Sequence, residues 1–251
     1  MKEFDKFVSI MRRLRQECPW DKVQTHETLR KHFVEETYEA LDALDRDNYQ
    51  DLKGELGDVA LQIVFHSIIA EEEKYFTLEE VFQTINEKLI RRHPHVFGDA
   101  TVNSSDEQSA LWDSIKMSEG RNSVLEGIPM HLPALMKAEK VQKKAAKVGF
   151  DWTDQNDVLN KVNEEMAELH EAVATGDREE IDTEFGDVLF SLVNYSRFIG
   201  VHPEESLQKA IKKFTARFSF IEETLRNNNK DIHETSFREM DRLWNESKNK
   251  E

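Results

Sequence analysis

Glu164-Glu165-Met166-Ala167-Glu168 and, sixteen positions after Glu168, Glu184-Phe185-Gly186-Asp187 repeat a pattern already written at Glu35-Glu36-Thr37-Tyr38-Glu39 and Glu55-Leu56-Gly57-Asp58. The same sixteen positions separate Glu39 from Glu55. Carboxylates three apart on a helix lie about 60° apart around its axis, so each pair projects together. Two such helices facing each other gather four carboxylates into one small volume. Without a cation these groups would repel one another and hold each other's pKa up. The pattern therefore reads as a divalent-metal site built twice: Glu36, Glu39, Glu55 and Asp58, then Glu165, Glu168, Glu184 and Asp187.

Around the acids, apolar residues recur at helical spacing. Leu29, Phe33, Thr37, Ala40, Leu41 and Leu44 form one stripe, and Leu52, Leu56, Val59 and Ile63 the next. Val158, Val162, Met166, Leu169 and Val173, then Phe185, Val188, Leu192 and Tyr195, repeat the arrangement. Short polar turns, Asp45 to Asn48 and Thr175 to Asp177, suit antiparallel helical hairpins. No β-run interrupts, so the fold class is all-α. The 129-position offset from Glu36 to Glu165 predicts two tandem domains, 1–118 and 134–251, joined by a linker at 119–133 that holds Gly120, Gly127, Pro129 and Pro133.

With 33% charged residues and a net charge of −16, the chain lacks the basic stripe of a nucleic-acid-binding surface, so no nucleic-acid partner is expected. A metal held on carboxylates can still present positive charge to a phosphate. Cys18 is the single cysteine, which excludes an internal disulfide and a thiolate-rich metal site. The longest apolar stretch, Val59 to Ala70, is broken by Gln62, His66 and Ser67 and is too short to span a bilayer. The first residues have no signal-peptide layout. The expected location is cytoplasmic, with no membrane partner.

An all-oxygen donor set suits hard cations, Mg²⁺ with Mn²⁺ as a substitute, which bind through a few carboxylates and keep room for a phosphate. Di-iron bundles use Glu-x-x-His, whereas the positions three after Glu36, Glu55, Glu165 and Glu184 are all Glu or Asp, which disfavours iron. Lys88 with Arg92, and Lys213 with Arg217, are i and i+4 pairs that can clamp phosphate oxygens. Trp112 and Trp244, each four residues before a lysine (Lys116 and Lys248), can supply an aromatic platform beside a phosphate contact or pack as core. His93-Pro94-His95 has Phe218-Ser219-Phe220 as its counterpart and reads as structural or specific to the first half. No Gly-rich phosphate loop and no G-x-S-x-G elbow is present.

Together these residues resemble the MazG family of nucleoside triphosphate pyrophosphohydrolases. The carriers are Cys18-Pro19-Trp20-Asp21-Lys22, Glu35 to Glu39, Gly54 to Asp58 and Arg91 to Phe97, then Lys147 to Trp152, Glu164 to Glu168 and Glu184 to Asp187. The resemblance implies tandem helical domains with four-helix-bundle-type cores completed by a homodimer. It further implies Mg²⁺-dependent hydrolysis of NTPs and dNTPs to monophosphate and pyrophosphate with broad base tolerance. Carried over by position, the second-half site is Lys161, Glu164, Glu165, Glu168, Glu184, Asp187, Lys213, Arg217, Trp244 and Lys248. The chain departs from the family pattern at Glu180, where a basic residue can stand, and at Thr183, where an acid can stand.

The expected mechanism uses Glu164 or Glu165 to orient or deprotonate a water, with Lys213 and Arg217 neutralising the leaving pyrophosphate. The competing readings are a pyrimidine-specific all-α enzyme of the dUTPase type and a catalytically silent nucleotide sensor or scaffold. The second half is the expected main site.

Overall fold

The computed structural model describes residues 2–102, 104, 107–108, 111–112, 114–115 and 123–249, and no strand occurs among them. The chain divides into two units, Met1–Lys116 and Met117–Glu251.

In the first unit α1 (Lys2–Glu17) and a 3-10 turn (Asp21–Val23) precede α2 (His26–Asp45), α3 (Tyr49–Glu72), α4 (Leu78–Arg92) and the single turn α5 (Pro94–Phe97). Local signals set these limits. Thr25 opens α2 with a reciprocal capping box to Thr28, and the Asn48 side chain caps α3 at the backbone N–H groups of Gln50 and Asp51. Between α2 and α3, Asp47 takes φ +51, a left-handed turn residue that reverses the chain within three residues. α2 and α3 pack along each other as a hairpin, and α1 and α4 lie against α3. Leu29, Met11, Val64, Phe65, Ile68, Ile69 and Leu78 form the core. Arg12 and Arg15 of α1 pair with Glu71 and Glu72 at 2.6 and 2.9 Å, and Arg15 also donates to the Gln24 carbonyl, so one guanidinium joins three segments.

The second unit contains α6 (Ala134–Ala146), α7 (Gln155–Thr175), α8 (Arg178–Phe198), α9 (Pro203–Asn227), a 3-10 turn (Ile232–Glu234) and α10 (Phe237–Lys248). Asp154 caps α7 and Asp177 caps α8, while Gly176 between them adopts φ +80, a conformation that costs a side-chain-bearing residue. α7 packs on α8 and α6 packs on α8, where Gln142 donates to the Phe190 carbonyl at 2.8 Å. α9 packs chiefly on α10 and on α6. Ile221, Leu225 and Leu243 form its core against Ile232, Met240 and Trp244. Lys144 donates to the carbonyls of Val124 and Glu126, which ties that stretch to α6.

The helical stripes are covered on one side only. Leu29, Ala40, Val158, Val162 and Val188 are buried, but Phe33, Leu41 and Leu44 on α2, Leu56 and Ile63 on α3, and Met166, Val173, Phe185 and Leu192 on α7 and α8 remain exposed, Leu56 and Phe185 by 56% and 55%. A two-helix hairpin can bury only the seam between its helices, and the rest of each apolar face stays open.

Candidate active site

The hairpins place the carboxylates. Glu36 and Glu39 on α2 meet Glu55 on α3 with their oxygens within 4.8 Å of one another, and Glu165 on α7 meets Glu184 and Asp187 on α8 within the same limit. The two triads are not the same three positions: Asp58 stands outside the first and Glu168 outside the second. Both outliers act electrostatically all the same. Glu36 is held above its ordinary carboxyl value by partial burial and then by Asp58, Glu39 and Glu55, with His32 opposing. Glu55 is raised by desolvation and then by Glu39 and Asp58. Glu168 is raised by desolvation and then by Glu165, with Lys161 opposing and Glu184 and Glu164 adding. Carboxylates that hold each other's protons on are the electrostatic mark of a site that gains from a bound cation, and their oxygen-only donor set fits a hard divalent ion.

Glu165 is the most enclosed of these acids, at 7% exposure. Lys161, one turn earlier, holds it at 2.7 Å and Glu164 at 2.6 Å. Those two hydrogen bonds raise the Lys161 ammonium well above its ordinary value. In the first unit the place of Lys161 is taken by His32, which meets Glu35 at 2.9 Å as Lys161 meets Glu164. Sequence reasoning missed His32, although the 129-position offset points to it; the change of residue type hid the equivalence. Glu180 accepts a hydrogen bond from Thr175 at 3.3 Å, and Thr183 turns its hydroxyl back to the Glu179 carbonyl, so the two departures noted in the sequence are placed here. Both departures serve the turn and the first turns of α8.

The basic and aromatic residues form a second constellation. The Arg217 guanidinium lies 5.5 Å from the Trp244 ring centroid, and Arg92 lies 5.6 Å from that of Trp112. The same cation–π stack thus occurs once in each unit. Trp244 also meets Phe214, which stacks on Phe218, and Trp112 meets His93 with their rings nearly perpendicular. His93 and Phe218, counterparts in the repeat, therefore both serve the aromatic packing around the tryptophans. Lys88 and Lys213 are exposed one turn before their arginines, and Lys248 donates to Asn245 at 2.9 Å. Lys116 lies outside the described residues. The structure assembles each carboxylate group on one hairpin and each Arg–Trp pair elsewhere: in the second unit the pair belongs to the α9–α10 packing and the acids to the α7–α8 packing.

Comparison with known proteins identifies the domains that carry the paired acids. Residues 24–97 and 154–219 match the model of the MazG nucleotide pyrophosphohydrolase domain. The chain is 45% identical over 250 residues to the nucleoside triphosphate pyrophosphohydrolase/pyrophosphatase MazG of Thermotoga maritima, covering 98% of this chain and 95% of that protein. It is 42% identical over 260 residues to the nucleoside triphosphate pyrophosphohydrolase of Escherichia coli K12, covering 100% of this chain and 99% of that one. A Bacillus subtilis protein, uncharacterized protein YabN, is 47% identical over 255 residues, which span 99% of this chain and 52% of that longer protein. Two matched domains, each carrying a paired-acid hairpin, place this chain in the MazG nucleotide pyrophosphohydrolase family.

Proposed function

We propose that the chain hydrolyses nucleoside triphosphates to monophosphate and pyrophosphate, tolerates several bases, uses Mg²⁺ with Mn²⁺ as a substitute, and relies mainly on the second site. The observation that carries this reading is the convergence of Glu165, Glu184 and Asp187 within 4.8 Å, with Glu168 beside them, inside a matched family domain. Relatives that this chain matches almost end to end carry that activity in their names.

Mg²⁺ bound by Glu165, Glu168, Glu184 and Asp187 would supply the positive charge that a triphosphate needs beside so many acids. The chain's own residues do the rest. Glu164, exposed at the rim, or Glu165, enclosed and acting from deeper in the site, accepts a proton from the attacking water. Lys161 has its charge committed to these two acids and is positioned to turn to a phosphate oxygen once they are otherwise neutralised. Lys213 and Arg217 hold the departing pyrophosphate, with Lys248 at the edge and Trp244 keeping the guanidinium plane in place. In the first unit Glu36, Glu39, Glu55 and Asp58 would hold the cation, with Lys88, Arg92, Trp112 and Lys116 at the substrate.

Residues 1–118 and 134–251 act in this reading as two copies of one domain joined by 119–133. The half-covered apolar faces of α2, α3, α7 and α8 support a homodimer, since a second hairpin of the same kind would complete each bundle. No helix among the described residues is long and apolar enough to cross a membrane, in keeping with a cytoplasmic enzyme.

The test is product analysis with Mg²⁺ across several triphosphates, for the parent chain and for Glu168→Ala and Asp187→Ala, with helicity followed by circular dichroism. Pyrophosphate from several bases, lost in both variants at unchanged helicity, is the expected result. Parental turnover in both variants would refute the second-site assignment, and nucleotide binding without any turnover would refute the enzyme.

A further inference from the structure

The two units differ at one cross-helix contact that the proposed chemistry does not use. His26, the first residue of α2, meets His66 on α3 with 2.7 Å between their Nδ1 atoms, the rings 2° from parallel and their centroids 5.0 Å apart. Offset by 129 positions, Gln155, the first residue of α7, donates to the Tyr195 hydroxyl on α8 at 3.4 Å. The same place in the repeat is tied by a titratable pair in one unit and by a pair without a titration near neutrality in the other.

We propose that the His26–His66 bond is a proton-operated latch that loosens α2 from α3 in mild acid, while the Gln155–Tyr195 tie keeps the second hairpin closed over the same range.

The proton count makes the bond conditional. A bond between two Nδ1 atoms needs one N–H and one lone pair, so the rings carry opposite tautomers. One added proton can sit on an outer Nε2 with the bond kept. A second puts N–H groups on both facing nitrogens and breaks it. The surroundings resist that charge. The Nε2 of His66 is buried without a partner in the described structure, and burial followed by the nearness of His26 pushes the imidazole below its ordinary 6.5. Charges on neighbouring elements are engaged elsewhere: Glu27 with Arg30 on α2, and Arg12 with Glu71 and Arg15 with Glu72 between α1 and α3. Phe33 lies against the His66 ring, Gln62 one turn earlier is an uncharged amide, and α4 contributes Leu78 to this core. A group whose folded pKa is depressed stabilises the fold above its unfolded value, and that share is lost as pH falls below 6.5 through the folded value.

The latch stands independently of the proposed chemistry. Its effect on the first carboxylates, about two to three turns away along α3, rests on that reading. Hydrogen exchange on the full chain, corrected for intrinsic rates, reads the latch alone. Between about pH 7.5 and pH 5.5 protection at the start of α2 and the centre of α3 should fall about tenfold, a single pKa unit's worth, and that of α7 and α8 should hold within about twofold. The double swap His26→Gln with His66→Tyr should remove the acid response. Equal loss in both hairpins, or an unchanged response in the swapped chain, overturns the proposal. Histidine nitrogen NMR on the parent chain decides independently of how the variant folds: His66 must stay neutral below 6.5 and charge together with the loss of protection, and an ordinary titration without that loss overturns the latch.

Discussion

Lys161 is the residue whose removal tests the electrostatics of the second site most directly. Its ammonium donates to Glu164 at 2.6 Å and to Glu165 at 2.7 Å, and Glu165 sits at 7% exposure beside Glu184 and Asp187. Lys161→Met keeps the length of the side chain and deletes the charge. The bond to Glu164 lies in solvent and contributes little. The bond to Glu165 is charge-assisted and enclosed, so its loss costs about 1.5–3 kcal/mol, since the carboxylate stays among like charges without its counter-ion. Lys161 is raised above its ordinary 10.5, so the ammonium's share of this stabilisation is present below 10.5 and fades as pH rises through the folded value. At about 3 °C per kcal/mol for a domain of this size, the transition of the second unit should fall by about 5–9 °C at pH 7.5 in EDTA. With millimolar Mg²⁺ the deficit should shrink to less than half, because a cation on the same acids replaces the lost charge. Differential scanning calorimetry of both proteins in both buffers makes the measurement. An equal deficit with and without Mg²⁺, or no deficit in EDTA, refutes the view that Lys161 and a divalent ion neutralise the same carboxylates.

Phe65→Ala should destabilise the first unit by about 3–5 kcal/mol, since Phe65 is 1% exposed in the core that joins α1, α3 and α4; denaturant titration reads it as a shift of one transition. Gly176→Ala should cost about 1–2 kcal/mol through its φ of +80 alone, because open space surrounds the position and no clash is added; unchanged stability would show that the turn relaxes. Glu168 is raised above its ordinary 4.5, chiefly by desolvation and then by Glu165, so it favours the fold fully below 4.5 and loses that share as pH rises through its folded value. Melting of the second unit in EDTA should therefore improve as pH falls through the range just above 4.5, and Glu168→Gln should flatten that response.

What the sequence disclosed follows from how local the cause is. The hairpins were legible because the polar turns Asp45 to Asn48 and Thr175 to Asp177 interrupt the apolar stripes, Asn48 and Asp177 capping the helices that follow, and because paired acids need only helical spacing to project together. The triads were legible as quartets, and the displacement of Asp58 and Glu168 from them was not, since it depends on how two helices cross. Periodicity named the apolar faces of α2 and α7 but not their exposure, which depends on what else packs there. The i and i+4 pairs Lys88 with Arg92 and Lys213 with Arg217 were visible as charges, yet the seating of each arginine on a tryptophan far along the chain is a tertiary fact. His32 and the His26–His66 contact needed the repeat to be followed past a change of residue type.

The seating of Arg217 on Trp244 and of Arg92 on Trp112 also gives each half an optical reporter. Indole emission responds to a cation held against the ring, so any ligand that draws the guanidinium away changes its colour and yield. Trp20 and Trp152, at 53% and 45% exposure, emit from wetter surroundings and can be replaced by phenylalanine to clear the background. A chain keeping only Trp244, beside another keeping only Trp112, would let each half announce occupancy separately in a stopped-flow trace.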